Sequence, residues 1–256
     1  PLGAHCEAEA ILADAGAVSL AGSGGAGGGI TATVGVSFAV NNIVSDTRAS
    51  LSDSTVQTAD VVSVAAASDA RIWSLALAGS VGVGVGIGSG AFAGAGAASG
   101  SYNRVDKTIE ASVSGGTVEI AGGGISLSAD DATDILANAG ALGGVLAGGA
   151  GGGIAGTVGA SLAINEIESE VRAHISGARV QAAGAVDLSA SSTAHIWSLT
   201  LAGSAGVAGG GAFTLTATGA GAGSYNTVQH TVEAFIANAG ATRSDVTAGK
   251  GMTLKA

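Results

Sequence analysis

The residues that could do chemistry in this chain are few and scattered. Four histidines, His5, His174, His195 and His230, and a single cysteine, Cys6, are the candidate imidazole and thiolate metal ligands, and no two of them stand at a metal-ligand spacing. One cysteine forms no intrachain disulfide. Asp130, Asp131 and Asp134 are the only acidic cluster. Grouped carboxylates can act as acid and base on a glycosidic bond, but the matching positions of the first half carry Glu7 and Glu9 at another spacing, with no aromatic sugar platform nearby. A solvated turn explains the cluster better. Trp73 and Trp197 occupy equivalent places, as do Tyr102 and Tyr225. They could stack on a ligand, but an aromatic that plugs the end of a small-residue core is the favoured reading. The glycine runs lack Gly-x-x-x-x-Gly-Lys-Ser/Thr and lead into aliphatics rather than a helix start. No catalytic, cofactor-binding or metal residue is therefore assigned, and the expectation is a protein that is not an enzyme and carries no cofactor.

The element that organises the chain is Ile72 to Asn103, a stretch without a charged residue. Its odd positions read Trp73, Leu75, Leu77, Val81, Val83, Val85 and Ile87, while the even ones are almost all Gly, Ala or Ser. A period of two puts one set on each face of a strand. A helix would carry Gly82, Gly84, Gly86, Gly88 and Gly90 in its interior, at about 1 kcal/mol each relative to Ala. In a strand the same glycines make a bare face that another sheet can approach closely. Such a face predicts burial of the stretch in protein rather than in lipid.

Composition narrows the class. With 47% hydrophobic and only 3% aromatic residues, any core is built from Ala, Val, Leu and Ile. The 46 glycines have no Gly-X-Y period, which excludes collagen, and 11% charged residues with a mean hydropathy of +0.51 exclude disorder. A net charge of −10 without a basic run makes nucleic acid and anionic lipid poor partners. Pro1-Leu2-Gly3 has the form of a scar left by tag cleavage, so residues 1–10 are set aside as scar and lead-in.

The rest is a duplication. Ile11-Leu12-Ala13 returns as Ile135-Leu136-Ala137, Asn41 as Asn165, and Ile72-Trp73-Ser74-Leu75 as Ile196-Trp197-Ser198-Leu199, all at an offset of 124. Ser101-Tyr102-Asn103 matches Ser224-Tyr225-Asn226 at 123. The first copy spans 11–133 and the second 134–256, each divided in two: 11–70, 71–133, 134–194 and 195–256. Every unit holds an uncharged Gly/Ala-rich stretch, an exit marked by Asn41, Asn103, Asn165 or Asn226, and a polar-alternating segment. Repeats of this length predict a linear array in which neighbours bury one another.

In the polar segment, Thr117-Val118-Glu119-Ile120, Gly122-Gly123-Gly124 and Ile125-Ser126-Leu127-Ser128-Ala129 predict two short strands about a glycine turn, small aliphatics inward and Glu119, Gln181 and Asp187 outward. The fold class is all-β, a repetitive β-solenoid of the parallel β-helix kind with Gly/Ala-rich packed sheets. Stacked antiparallel β-sandwiches or hairpin repeats remain the alternative.

The stretch 148 to 165, with Gly151-Gly152-Gly153-Ile154 leading to Val158-Gly159-Ala160-Ser161-Leu162-Ala163-Ile164-Asn165, followed by Val171-Arg172-Ala173-His174-Ile175 and Val180-Gln181-Ala182, resembles the repeats of giant bacterial surface adhesins. The resemblance is to leukotoxin-type filamentous adhesins, similar in build to filamentous haemagglutinin. It implies a structural module of a secreted, cell-surface filament that gives length and an adhesive or cell-cell contact surface. The partners it implies are neighbouring repeats of the same protein and a host or partner-cell receptor or glycan, with self-association through uncapped ends. The calcium-binding Gly-Gly-x-Gly-x-Asp nonapeptide is absent. A pore-forming or membrane-inserting segment is the second expectation, set behind because no aromatic girdle is evident in the sequence. A polysaccharide-degrading β-helix enzyme is the third.

Overall fold

The computed structural model describes residues 2–5 and 9–256. The chain is an all-β parallel solenoid. Its first coil is β1 (Leu2–His5), β2 (Glu9–Gly25), β3 (Gly29–Ser52) and β4 (Thr55–Thr58). The second is β5 (Val62–Gly86), β6 (Ala91–Ser114) and β7 (Thr117–Ile120), and the third β8 (Ile125–Gly149), β9 (Gly153–Ser176) and β10 (Arg179–Ala182). The fourth comprises β11 (Val186–Gly210), β12 (Thr214–Ala237) and β13 (Asp245–Ala248), after which β14 (Met252–Lys255) turns into another coil. β1, within the stretch set aside as lead-in, pairs with β5.

Three sheets run along the stack. β1 and β2, β5, β8, β11 and β14 form one long sheet, β3, β6, β9 and β12 the facing one, and β4, β7, β10 and β13 a narrow sheet closing one end. Every pairing between coils is parallel, running without a break from Val62 opposite Ile125 to Gly86 opposite Gly149, and from Gly29 opposite Ala91 to Ser52 opposite Ser114. This excludes the antiparallel sandwich. The thirty-residue stretches do fold back, but as arches: β5 and β6 lie in opposite sheets and meet by side chains, not by hydrogen bonds. The unit boundaries at 71, 134 and 195 fall inside β5, β8 and β11, as a coil can be cut at any phase. At about 3.3 Å per residue a 25-residue strand is about 80 Å long, whereas four coils about 4.8 Å apart stack to only about 20 Å. The molecule is a broad thin slab.

Inside, the slab has two regions. Near the narrow sheet, here the proximal half, the three sheets enclose Ile109, Ile125, Leu127, Val113, Val180 and Leu188, all essentially inaccessible. In the distal half, towards the turns after β2, β5, β8 and β11, the two long sheets face each other through Ala93, Ala97, Ala141, Ser74, Ser80, Ser99 and glycines. Gly35 shows why the bare face is required, since a methyl group on it would overlap the carbonyl oxygen of Gly79. The small face thus goes where the alternation predicts, against the opposite sheet. Predicted strand lengths in the polar segment need correction: Thr117–Ile120 is a four-residue strand, but Ile125 begins one of 25 residues, because the inward alternation continues through Asp131, Thr133 and Ile135.

Buried polar groups mark where the two regions meet. Asn41 Nδ2 donates to Asn103 Oδ1 at 2.6 Å, Asn103 to Asn165 at 2.7 Å and Asn165 to Asn226 at 2.7 Å. This ladder satisfies an amide in every coil and penalises any slip of register. Beside it, Lys107 and Asp131, both wholly buried, pair at 2.5 Å, and Lys107 Nζ also donates to the Ala132 carbonyl at 3.2 Å. Ser192 Oγ donates to the other Asp131 oxygen at 2.9 Å.

Candidate functional site

The candidate catalytic groups separate when placed on the coils. Asp130, Asp131 and Asp134 lie in strand β8 rather than in a turn. Asp131 points inward to Lys107, while Asp130 and Asp134 point outward, Asp130 accepting from Ser191 Oγ at 2.5 Å and Asp134 lying 3.7 Å from Arg71 Nε. Period two splits neighbours 130 and 131 between opposite faces. Cys6 and Glu7 lie outside the described residues, as does the His5 side chain. His195 is exposed opposite Asp134, and His174 stacks on Phe235 with centroids 5.0 Å apart. Burial lowers the His174 pKa, against the opposing pull of Glu110 3.7 Å away. Among the described residues no three His, Cys, Asp or Glu side chains converge to hold a metal.

The surface itself is the distinctive feature. On the proximal outer faces, charged and polar side chains pair between coils: Arg48 Nε donates to Glu110 at 3.3 Å, Arg172 Nε to Glu233 at 3.0 Å, and the Gln57 amide Nε2 to Glu119 at 3.0 Å. Exposed pairs of this kind contribute about 0–1 kcal/mol each, so they shape the surface more than they hold the fold.

The distal outer faces carry the large apolar side chains. On the β5 sheet the outward columns contain Val18, Leu20, Leu77, Val81, Leu142 and Leu146; on the β6 sheet, Ile30, Val34, Phe38, Phe92, Val158 and Leu162. Val18 is 87% and Ile30 80% accessible. The expected burial of the odd positions in protein is therefore corrected: the opposing sheets approach too closely for most large residues, Val145 excepted, and the other aliphatics are left outside.

The aromatic residues also need correction. Trp73 and Trp197 do not plug the core but stand outward, 56% and 58% accessible, and Tyr225 is 61% accessible. With Leu12 and Leu136 the two tryptophans form one outward row across the coils and line a shallow apolar groove. The next outward row towards the narrow sheet is charged or polar, with Arg71, Asp134 and His195. On the opposite sheet Tyr102 and Tyr225 share a row with Val40 and Ile164, and the next outward row holds Arg104 and Glu166. Tyr102 Oη donates to Glu166 at 2.9 Å, and this bond raises the phenol pKa. The signal was present in Arg71-Ile72-Trp73 and Tyr102-Asn103-Arg104, each an aromatic two residues from a charge and so on the same face. The arrangement can make apolar and interfacial contacts. Compared with protein-family models, curated proteins and solved structures, the chain matches none.

Proposed function

We propose that the chain is a structural repeat module of a giant secreted bacterial surface adhesin, in which stacked coils give a filament its length and the proximal polar face gives cell contacts. The observation that supports this reading best is the one-to-one parallel register maintained from coil to coil, with β14 already entering a further coil. Neighbouring coils are equivalent, so length is added without new interfaces. The uncapped ladders at either end give further repeats, or a second copy, a place to pair.

Two measurements test the reading. Concatenated copies imaged by electron microscopy should form one straight ribbon that lengthens by about 4.8 Å per added coil; separate beads on a string would overturn the filament role. Particles coated with the chain should adhere to cells, and adhesion should fall when the charges of Glu119, Arg172 and Asp187 are removed. Adhesion no greater than that of bare particles would remove the contact role.

A further inference from the structure

The distal half is built inside out. Its interior presents Ser74, Ser80, Ser99, Thr33 and Thr157, buried with hydroxyls that lack a hydrogen-bond partner, while its exterior is aliphatic. This is the reverse of the proximal half of the same strands. Both outer faces are apolar, and the apolar bands end together: Ser161 Oγ bonds the Ala139 carbonyl across the core and Lys107 Nζ the Ala132 carbonyl, which sets the Trp73 row of one sheet within about a residue of the Tyr102 row of the other. Charged rows begin one outward place further on in both sheets.

The geometry points to a lipid bilayer as the partner of this half: the slab enters edge-on, turns first, with Trp73, Trp197, Tyr102 and Tyr225 at the interface and the charged proximal half in water. Val85 lies twelve positions beyond Trp73 and Tyr102 ten beyond Phe92, or about 33–40 Å at about 3.3 Å per step. That compares with about 30 Å of hydrocarbon and about 40–45 Å including headgroups. Trp and Tyr gather at such interfaces because an apolar ring and a polar tip are both satisfied there. The turns, such as Gly86-Ile87-Gly88-Ser89-Gly90 and Gly149-Ala150-Gly151-Gly152, carry no charge to hinder entry. Among the described residues the only charge distal to the tryptophan row is Asp14, one outward place beyond Leu12 and still near the interface. The ladders satisfy the backbone groups between coils, as hydrocarbon requires.

A second copy suits the surface less well. Apolar residues on both faces would stack slabs without closure, and slab-on-slab packing would not require aromatics at the same height on two opposite faces.

The test uses the full chain and phosphatidylcholine vesicles at high salt, which screens charge-driven adsorption. The chain should float with the vesicles, and its tryptophan emission should shift to the blue. Lipids brominated near the headgroup should quench Trp73 and Trp197 more than lipids brominated at the bilayer centre. The outward double variant Val81→Arg/Leu142→Arg should lower partitioning at least about tenfold, equivalent to about 1.4 kcal/mol, with circular dichroism unchanged. Should that variant fail to fold, the depth of quenching in the unaltered chain decides. Failure to float, assembly into stacks that exclude lipid, or partitioning indifferent to the double variant overturns the proposal. None of these results depends on whether concatenated coils form a ribbon in buffer, so the two readings fail separately.

Discussion

The two halves of each long strand obey the same alternation and reach opposite surfaces. Near the narrow sheet, aliphatics such as Leu127 and Ile109 point in and Glu110, Arg172 and Asp187 point out. Past the asparagine ladder, Ser74 and Ala78 point in and Trp73, Leu77 and Val81 point out. Alternation parity therefore does not say which face is the core; the distance between facing sheets does. Three sheets enclose a space filled by Ile, Leu and Val along with Ala, whereas two converging arms leave room mostly for Ala, Ser, Thr and Gly, with Val145 among the few larger side chains between them. The outer face is then free to follow its surroundings, charged in one half and apolar in the other.

The comparison is broken most forcefully at the buried pair of Lys107 and Asp131, which lies on the proximal side of the asparagine ladder and holds the only buried charges among the described residues. Lys107→Met leaves the Asp131 carboxylate buried with hydroxyl partners from Ser192 and Thr133. It should cost about 3–5 kcal/mol, while Lys107→Met/Asp131→Leu should recover most of that loss. Denaturant unfolding of the three proteins is the measurement. A single variant as stable as the parent would show that the buried pair does not stabilise the fold there.

Two leucines test which side of the sheet supports the fold. Leu127 is inaccessible and Leu142 is 68% accessible, though both lie in β8. Leu127→Ala should cost about 2–5 kcal/mol by transfer and cavity formation. Leu142→Ala should stay within about 0.5 kcal/mol in buffer, as a surface change. Equal losses in equilibrium unfolding would mean that the distal exterior is covered by protein even without lipid.

Glycine sharpens the same contrast within the distal half. Gly35 points inward against the Gly79 carbonyl, whereas Gly96 points outward, where an added Cβ would stand 3.9 Å from a Val34 methyl group. Gly35→Val should force the arms apart and cost about 1–3 kcal/mol; Gly96→Val should be near neutral. Hydrogen exchange across β5 and β6 would locate the first effect in the distal half, and protection that stayed at the parent level would contradict close packing.

Much of the fold was legible because its signals are local. Period two, the offset of 124 and the bare glycine face fix strands, repeats and close sheet contact from residue types alone. Parallel pairing was not fixed, because an arch and a hairpin have the same turn chemistry at Gly25 to Gly28 and differ only in long-range partners. The outward direction of Trp73 and Trp197 escaped for a related reason. Large apolar residues indicate a core only where the space between sheets admits them, and that space is set by residues about 25 positions away in the opposing arm, such as Ser99 and Ala97. The acidic cluster reads as a solvated turn because three aspartates stand close in sequence, whereas the strand continues through them and alternation places Asp131 and Asp130 on opposite faces.

The smallest predicted effect separates the halves by pH. Outward residues of the proximal half include titratable groups, whereas the distal half has Asp14 as its only charged side chain among the described residues. His174 is the group to follow: its ring stacks on Phe235 at an interplanar angle of 6°, and burial lowers its pKa from about 6.5. A depressed pKa means that the folded chain binds the proton less readily than the unfolded chain does. The contribution of neutral His174 is thus complete above about pH 6.5 and is lost as pH falls through the lower folded value. His174→Phe retains an aromatic partner for Phe235 and removes the proton site. Between about pH 7.5 and about pH 5 the parent should lose slightly more stability than this variant, in denaturant titrations that cancel the carboxylates common to both. Exchange protection in β5 beyond Trp73 should not follow the histidine, because no group there shares its titration. Equal pH slopes for parent and variant would show that His174 is as free to take a proton in the coil as in the unfolded chain.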